Sequence, residues 1–244
     1  MAKKLRIKRY VQYPAECAAA AAAAIANYYN KNIDYEVVRL VAEDMLDTEI
    51  NDGLYDGEIG MLLNLLGFRS VSVMSTDLDY FDYSWCKLSK INLINRLKHV
   101  SRVNSGYREN CKSMIKFLTL DGYRNKLIID YIFGEYIRKN LDLGLPVMLS
   151  YNWTMFLRSP KTNDSGVNDD GKGEIEMHAV VACGYNNEGV YVVDSHDAFY
   201  KYKLKKYREG RYLLKWEDLM VIMGCAGNVI VPTGYEEKLL KYEF

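Results

Sequence analysis

Met177-His178-Ala179-Val180-Val181-Ala182-Cys183-Gly184-Tyr185 and Val190-Tyr191-Val192-Val193-Asp194 are two β-rich runs separated by Asn186-Asn187-Glu188-Gly189. Branched apolar residues on either side of a short Asn/Gly turn predict a tight antiparallel hairpin. With the turn near Asn187, positions 178 and 194 fall at the same end of the ladder, where an imidazole and a carboxylate can meet. That pairing organises the rest of the chain.

On the N-terminal side of the hairpin, Leu145-Pro146-Val147-Met148-Leu149-Ser150-Tyr151 reads as a strand, followed by a mobile loop over Arg158–Gly173 rich in Asn, Asp, Ser and Gly. On its C-terminal side, Tyr200–Lys205 and Arg211–Leu214 extend the sheet. Trp216–Met223 forms a short helix, and Asn228–Val231 a closing strand before Pro232. The first part of the chain has another texture. After an extended start over Leu5–Val11, an alanine-rich run begins at Cys17 and continues through Ile25, and alanine is the best helix former. Further helices are expected over Tyr35–Met45 and over Glu58–Leu66, the latter ended by Gly67. Arg69–Met74 alternates as a strand would. Lys87–Leu141 reads mostly as helix, with Ile115–Leu118 and Leu127–Ile137 the clearest apolar patterns. Helices first and sheet second is an α+β arrangement, an N-terminal helical part packed on a C-terminal antiparallel sheet.

The 244 residues, 49% hydrophobic and 26% charged, exclude a disordered polymer and suffice for a sizeable core. The longest apolar run, Ala18–Ala26, is too short to span a bilayer, and the Met1–Arg6 start lacks the apolar stretch of a secretory signal, so a cytoplasmic location is expected. Five cysteines, widely spaced and without a C-x-x-C pair, suggest neither a disulfide framework nor a zinc site. Thirty-two basic residues balance thirty-two acidic ones, but unevenly along the chain. Asp34–Asp82 carries twelve Asp/Glu against Arg39 and Arg69, whereas Lys87–Leu118 carries eight Lys/Arg against Glu109 alone. Oppositely charged segments can attract each other within the fold; the basic one is also a candidate partner surface, with nucleic acid the less favoured partner.

The chemistry centres on Gln12-Tyr13-Pro14-Ala15-Glu16-Cys17, where an extended approach becomes a helix. The first turn of a helix leaves N–H groups unpaired and places partial positive charge beside the sulfur, which favours thiolate over thiol. Cys17 is therefore a candidate nucleophile. The same amides can receive the oxyanion of a tetrahedral intermediate, and the Gln12 side-chain amide is a candidate second donor. His178 is the candidate general base, and Asp194 the carboxylate that would fix its tautomer. Competing readings are blander. His196 falls in the turn leaving the strand and reads as a surface residue, and Trp153 as a core residue that could also line a pocket. The loop acids Asp164, Asp169, Asp170 and Glu174 do not match a calcium-loop spacing, and Cys183 and Cys225 read as inert packing residues. No metal or cofactor is called for.

The order Gln12…Cys17 at a helix start, then Gly144–Leu149, His178–Tyr185 and Val190–Ser195, resembles the papain-like cysteine peptidases, most closely the C39-like group. The resemblance spans most of the chain and implies Cys17 as nucleophile, His178 as base, Asp194 as orienter and Gln12 in the oxyanion hole. It implies one papain-like domain over 1–244: a helical part with the nucleophile (1–85), a helical insertion (86–143) and an antiparallel sheet part with base and orienter (144–244). Relatives commonly have Gly where this chain has Ala18, and a Gln–Cys separation nearer six than five. The expected activity is hydrolysis of a peptide or isopeptide bond through a Cys17 acyl-enzyme. Two alternatives stand beside it: an acyltransferase or transglutaminase-like enzyme using the same groups, and a catalytically silent binding module. Family substrates are typically peptides cut after small residues, often a leader ending in two glycines.

Overall fold

Seven consecutive alanines, Ala18–Ala24, leave a helix with almost no side-chain bulk on any face, so it can be enclosed on all sides. The computed structural model, which describes residues 4–46, 53–78, 81–163, 165–197 and 209–240, places that run in α1 (Cys17–Tyr29), buried continuously from Ala18 to Asn27. α2 (Tyr35–Leu46) and α3 (Asp56–Leu65) follow, and Gly67, at φ 101°, turns the chain into β1 (Phe68–Ser75). Next come α4 (Lys90–Val103), α5 (Arg108–Thr119), β2 (Lys126–Ile129), α6 (Phe133–Asp142), β3 (Val147–Asn152) and α7 (Trp153–Leu157). The chain then forms β4 (Met177–Tyr185), β5 (Gly189–Val193), β6 (Arg211–Lys215), α8 (Trp216–Cys225) and β7 (Gly227–Tyr235).

Among the described residues the fold is mixed α+β, with eight α-helices and a single seven-stranded sheet ordered β2-β1-β7-β3-β4-β5-β6. Two features differ from the expectation. The sheet is not confined to the C-terminal part: β1 and β2 belong to it, and they pair parallel while every other neighbour is antiparallel. Leu127–Ile137 is not one helix either. Asp130 Oδ1 accepts from the backbone N–H groups of Tyr131 and Ile132, a turn that separates β2 from α6. The span expected as a helical insertion, 86–143, thus supplies an edge strand. β7 runs through Pro232, which is tolerated because its pairing with β3 ends at Ile230. The Tyr200–Lys205 strand lies outside the described residues.

Register fixes the two faces. Ser75, Asn228, Ser150 and Ala179 are cross-strand neighbours and so share one face, as do Val73, Ile230, Met148 and Val181. α1 packs on that face, with Ala20, Ala21 and Ala24 against Ala179 and Val181. The start of α3 meets it where Asn228 Nδ2 donates to Asp56 Oδ2 at 2.9 Å. α6 covers the other face, the Tyr136 hydroxyl bonding Ser72. Outside α3 lies α5, and α4 packs on α5. Gly57 and Gly60 permit that layer: a Cβ on Gly57 would stand 2.3 Å from the Ser113 carbonyl carbon, and one on Gly60 2.4 Å from the Phe117 ring.

The start of the chain runs extended along β4 and on to the turn that follows β5. Leu5 and Ile7 alternate inward, the Leu5 N–H donates to the Cys183 carbonyl, and the Gln12 N–H to that of Ser195. Arg9 adds two bonds, to the Asp194 carbonyl at 2.7 Å and the His196 carbonyl at 2.9 Å. The N-terminal segment is thereby stitched to the residues around Asp194 just before α1 begins.

Candidate active site

The turn Tyr13–Glu16 delivers Cys17 to the first position of α1. Ala15 adopts a left-handed backbone at φ 61°, uncommon for a residue with a side chain. Glu16, although placed to cap the helix, turns away. Its Oε2 accepts from the Tyr35 hydroxyl at 2.7 Å and from Arg39 Nε at 2.8 Å. Tyr35 in turn accepts from the Tyr13 N–H, and Arg39 lies over the Tyr13 ring. No side chain therefore caps α1, and its first-turn N–H groups and positive dipole end are left for an anion beside Cys17.

His178 is the second residue of β4 and is buried. Its Nε2 lies 2.8 Å from Asp194 Oδ1, so Nδ1 is the ring nitrogen left for the thiol; Cys17 and His178 share a side-chain hydrogen bond. Asp194 is fully buried and fully engaged: Oδ1 also accepts from the His196 N–H at 2.8 Å, and Oδ2 from the Tyr212 hydroxyl at 2.7 Å. Tyr212 further pairs with the Tyr151 hydroxyl. Gly210, whose carbonyl accepts from the Asp194 N–H, must be glycine: at φ 60°, a Cβ would stand 2.1 Å from Arg9 Nε.

The charges follow from that geometry. Burial alone pushes the Cys17 thiol up, but the bond to His178 and its charge outweigh burial, and the thiol lies below its ordinary value. The Ala179 backbone also hydrogen-bonds the sulfur, lowering the thiol further. Burial disfavours a charged His178, yet the Asp194 carboxylate and Cys17 together hold the imidazole well above its usual range. Burial likewise raises Asp194, and the His178 charge, with the His196 and Tyr212 bonds, brings it below the ordinary carboxylate value. A thiolate–imidazolium pair backed by a buried carboxylate is the form these shifts favour.

Cys17 and His178 line a cleft of about 820 Å³, with Asp194 buried behind them, and its walls also include Gln12, Ser150, Trp153, His196, Tyr55 and Glu58. Gln12 lines it in spite of the five-residue spacing. Its Oε1 accepts from the Ser195 hydroxyl at 2.7 Å, which leaves the NH₂ end as the donor available to the cleft. The sequence-selected Gln12, Cys17, His178 and Asp194 are thus brought together. Of the remaining cysteines, Cys111 is buried with its thiol pushed up to about 11 by burial, Cys183 is buried, Cys86 is exposed, and the Cys225 side chain lies outside the described residues. Asp169 spends its Oδ1 on the Gly171 and Lys172 N–H groups, and Asp164 lies outside the described residues.

His196 is not the detached surface residue its turn position suggested. It is half-buried, its ring 5.2 Å from that of Trp153 and 5.7 Å from that of His178. The Trp153 ring lies 4.3 Å from that of His178, tilted by 44°, and serves core and cleft at once. Sequence reasoning missed Ser195, Tyr212 and Arg9. For Tyr212 a signal existed, since it sits on the inward register of a strand adjoining β5.

No protein-family model matches the chain, and no curated protein does. Among solved structures, the chain is similar to a crystal structure from Bacillus anthracis provisionally described as a C39-like peptidase. The match has 14% identity and a TM-score of 0.43, and covers 96% of this chain and 100% of the other. No helix among the described residues is long and apolar enough to cross a membrane.

Proposed function

We propose that this protein is a cysteine peptidase that cleaves a peptide or isopeptide bond through an acyl-enzyme on Cys17. The observation that carries the reading is the continuous chain Cys17–His178–Asp194, with the His178–Asp194 contact at 2.8 Å inside the protein and the sulfur at the wall of the cleft. The order of these residues along the chain, with Gln12 ahead of Cys17, is the order that resembles the papain-like peptidases.

The thiolate attacks the scissile carbonyl carbon, forming the S–C bond while the carbonyl π electrons move to oxygen. The oxyanion is received by the first-turn N–H groups of α1 and the Gln12 NH₂. His178, protonated, gives its proton to the departing amine as the C–N bond breaks, leaving a thioester. Neutral His178 then takes a proton from water as the water oxygen attacks the thioester carbon, and the tetrahedral intermediate collapses with cleavage of the S–C bond, releasing the carboxylic acid product and leaving the Cys17 thiolate beside protonated His178. Asp194 stays ionised throughout and holds the ring.

The test is alkylation by iodoacetamide and labelling by a thiol-directed probe, located by mass spectrometry, alongside peptide hydrolysis by the wild type and Cys17→Ala. Labelling at Cys17 at pH 6 and hydrolysis lost in Cys17→Ala are the expected results. Labelling at Cys86 or Cys111 instead, or hydrolysis that survives the substitution, would end the reading. Adding a primary amine separates hydrolysis from acyl transfer, because only a transferase diverts most of the acyl group to it.

A further inference from the structure

The α4–α5 hairpin is basic on its exposed surface, and among the described residues its cations are mostly without ion pairs. Eight Lys/Arg lie between Lys87 and Leu118 against the single acid Glu109. Among the described residues only Lys112 has an ion-pair partner, Glu109 at 2.7 Å. Lys87, Lys90, Arg96, Lys98, Arg102 and Lys116 are exposed without one. Of the described acids in Asp34–Asp82, Asp82 acts on Arg96 through space but forms no ion pair with it. Ile91 and Val103, 72% and 67% exposed, add apolar contact points at the two ends of α4.

The hairpin packs against α3, whose first turn forms part of the cleft wall. Gly57 sits directly against the Ser113 backbone of α5, and Tyr55, on the cleft wall, lies near enough to Glu109 for that carboxylate to raise its phenol along with burial and Glu58. A peptide leaving the cleft past Tyr55 meets the end of the hairpin where α4 and α5 join. Within the cleft, Glu58 and Glu176 disfavour substrate carboxylates. Beyond it, the unpaired cations favour them. α4 is about 21 Å long, enough for about six residues of extended peptide.

We propose that the α4–α5 hairpin docks an acidic stretch of the peptide substrate, some residues away from the scissile bond. The surface is built for anions by charge complementarity, and its adjacency to the cleft favours a peptide over a nucleic acid. The proposal rests on the peptidase reading above.

The experiment uses the full-length Cys17→Ala protein and a fluorescein-labelled peptide carrying about six consecutive glutamates beside a neutral segment, with a glutamine version as its match. Binding is read by anisotropy at ~50 mM and ~300 mM salt. The acidic peptide is expected to bind about tenfold tighter at low salt, and the preference is expected to shrink at high salt. In otherwise wild-type protein, Arg96→Glu/Lys98→Glu/Arg102→Glu should leave Cys17 alkylation unchanged while abolishing the preference in the Cys17→Ala background. Equal binding of the two peptides, a preference that survives the charge reversal, or tighter binding of a single-stranded oligonucleotide of equal charge would overturn the proposal. A retained acidic preference in a protein whose Cys17 fails to alkylate would remove the peptidase reading and leave the docking surface standing.

Discussion

The Ser195 hydroxyl donates to Gln12 Oε1 at 2.7 Å, while the Gln12 N–H donates to the Ser195 carbonyl at 3.1 Å. Two residues 183 positions apart are locked by both backbone and side chain. Occupying Oε1 fixes which way the Gln12 amide is turned, so Ser195 positions the donor rather than touching substrate. Removing an oxyanion donor outright costs roughly 10²–10³ in kcat. Ser195→Ala, which leaves the donor present but free to rotate, is expected to lower kcat about tenfold with KM little changed. Cys17 alkylation, which needs no oxyanion hole, should be unaffected, and Ser195→Thr should restore kcat. A parallel loss in alkylation would mean that Ser195 acts on the thiol or the fold instead.

The pH profile follows from the directions of two shifts. Cys17 lies below an ordinary thiol and His178 above an ordinary imidazole, so the ion pair exists between the two. The acid limb of kcat/KM should therefore fall below the usual thiol range and the alkaline limb above the usual histidine range. An ordinary thiol is well under one per cent ionised at pH 6, where Cys17 should still alkylate readily. Asp194→Ala removes the charge that sustains the imidazolium, so the alkaline limb should move toward neutral pH. A profile unchanged in that variant would remove Asp194 from the relay.

Tyr212→Phe leaves buried Asp194 Oδ2 without the hydroxyl that donates to it at 2.7 Å. Such a loss costs about 1–3 kcal/mol. Asp194 is held below its ordinary value, so its contribution to stability is present above the unfolded carboxylate range and is lost as pH falls through the lower folded value. Weakening that hold should shift the acid-unfolding midpoint to higher pH, which circular dichroism across an acid titration would register. No shift would mean that water replaces the tyrosine.

Ala15 carries its left-handed backbone at φ 61° immediately ahead of Glu16 and Cys17. A β-branched side chain is poorly tolerated there, and Ala15→Val should cost about 1–2 kcal/mol and slow Cys17 alkylation, because the turn sets where the sulfur stands. Ala15→Gly should keep both near wild type. Urea denaturation and alkylation rates measured on the pair decide it, and an unperturbed Val variant would show that the turn relaxes without moving Cys17.

What could be read from the residues is what local chemistry dictates. α1 was legible because alanine has little other use in such a run. The β4–β5 hairpin was legible because Asn186–Gly189 and the flanking apolar residues agree, and it brings His178 to Asp194 even though the register shifts between Ala182 and Gly184. β2 was not legible. Its Leu127-Ile128-Ile129 is continuous with Phe133 and Ile137 at near-helical spacing, and only parallel pairing with β1, reached across α4 and α5, makes it a strand. The reactive groups were recognisable by type. Ser195, Tyr212 and His196 depend on long-range closure, through Gln12, β6 and Trp153 respectively, which no spacing reveals.

Gly57 tests whether the cleft wall and the basic hairpin form one mechanical unit. It is the second residue of α3, between Tyr55 and Glu58, and a Cβ there would lie 2.3 Å from the Ser113 carbonyl carbon, a contact with backbone that no side-chain rotation relieves. Gly57→Ala must push α3 and α5 apart, at a cost of about 1–3 kcal/mol, whereas Gly106→Ala in the exposed turn between α4 and α5 should change stability by no more than about 0.5 kcal/mol. Because Tyr55 and Glu58 travel with Gly57 while Cys17 is held from α1, the displacement should raise KM for peptides more than it slows alkylation by a small reagent. Thermal unfolding and the KM-to-alkylation comparison on both variants check this. A Gly57→Ala protein with wild-type stability and unchanged KM would mean that α3 and α5 slide without disturbing the cleft.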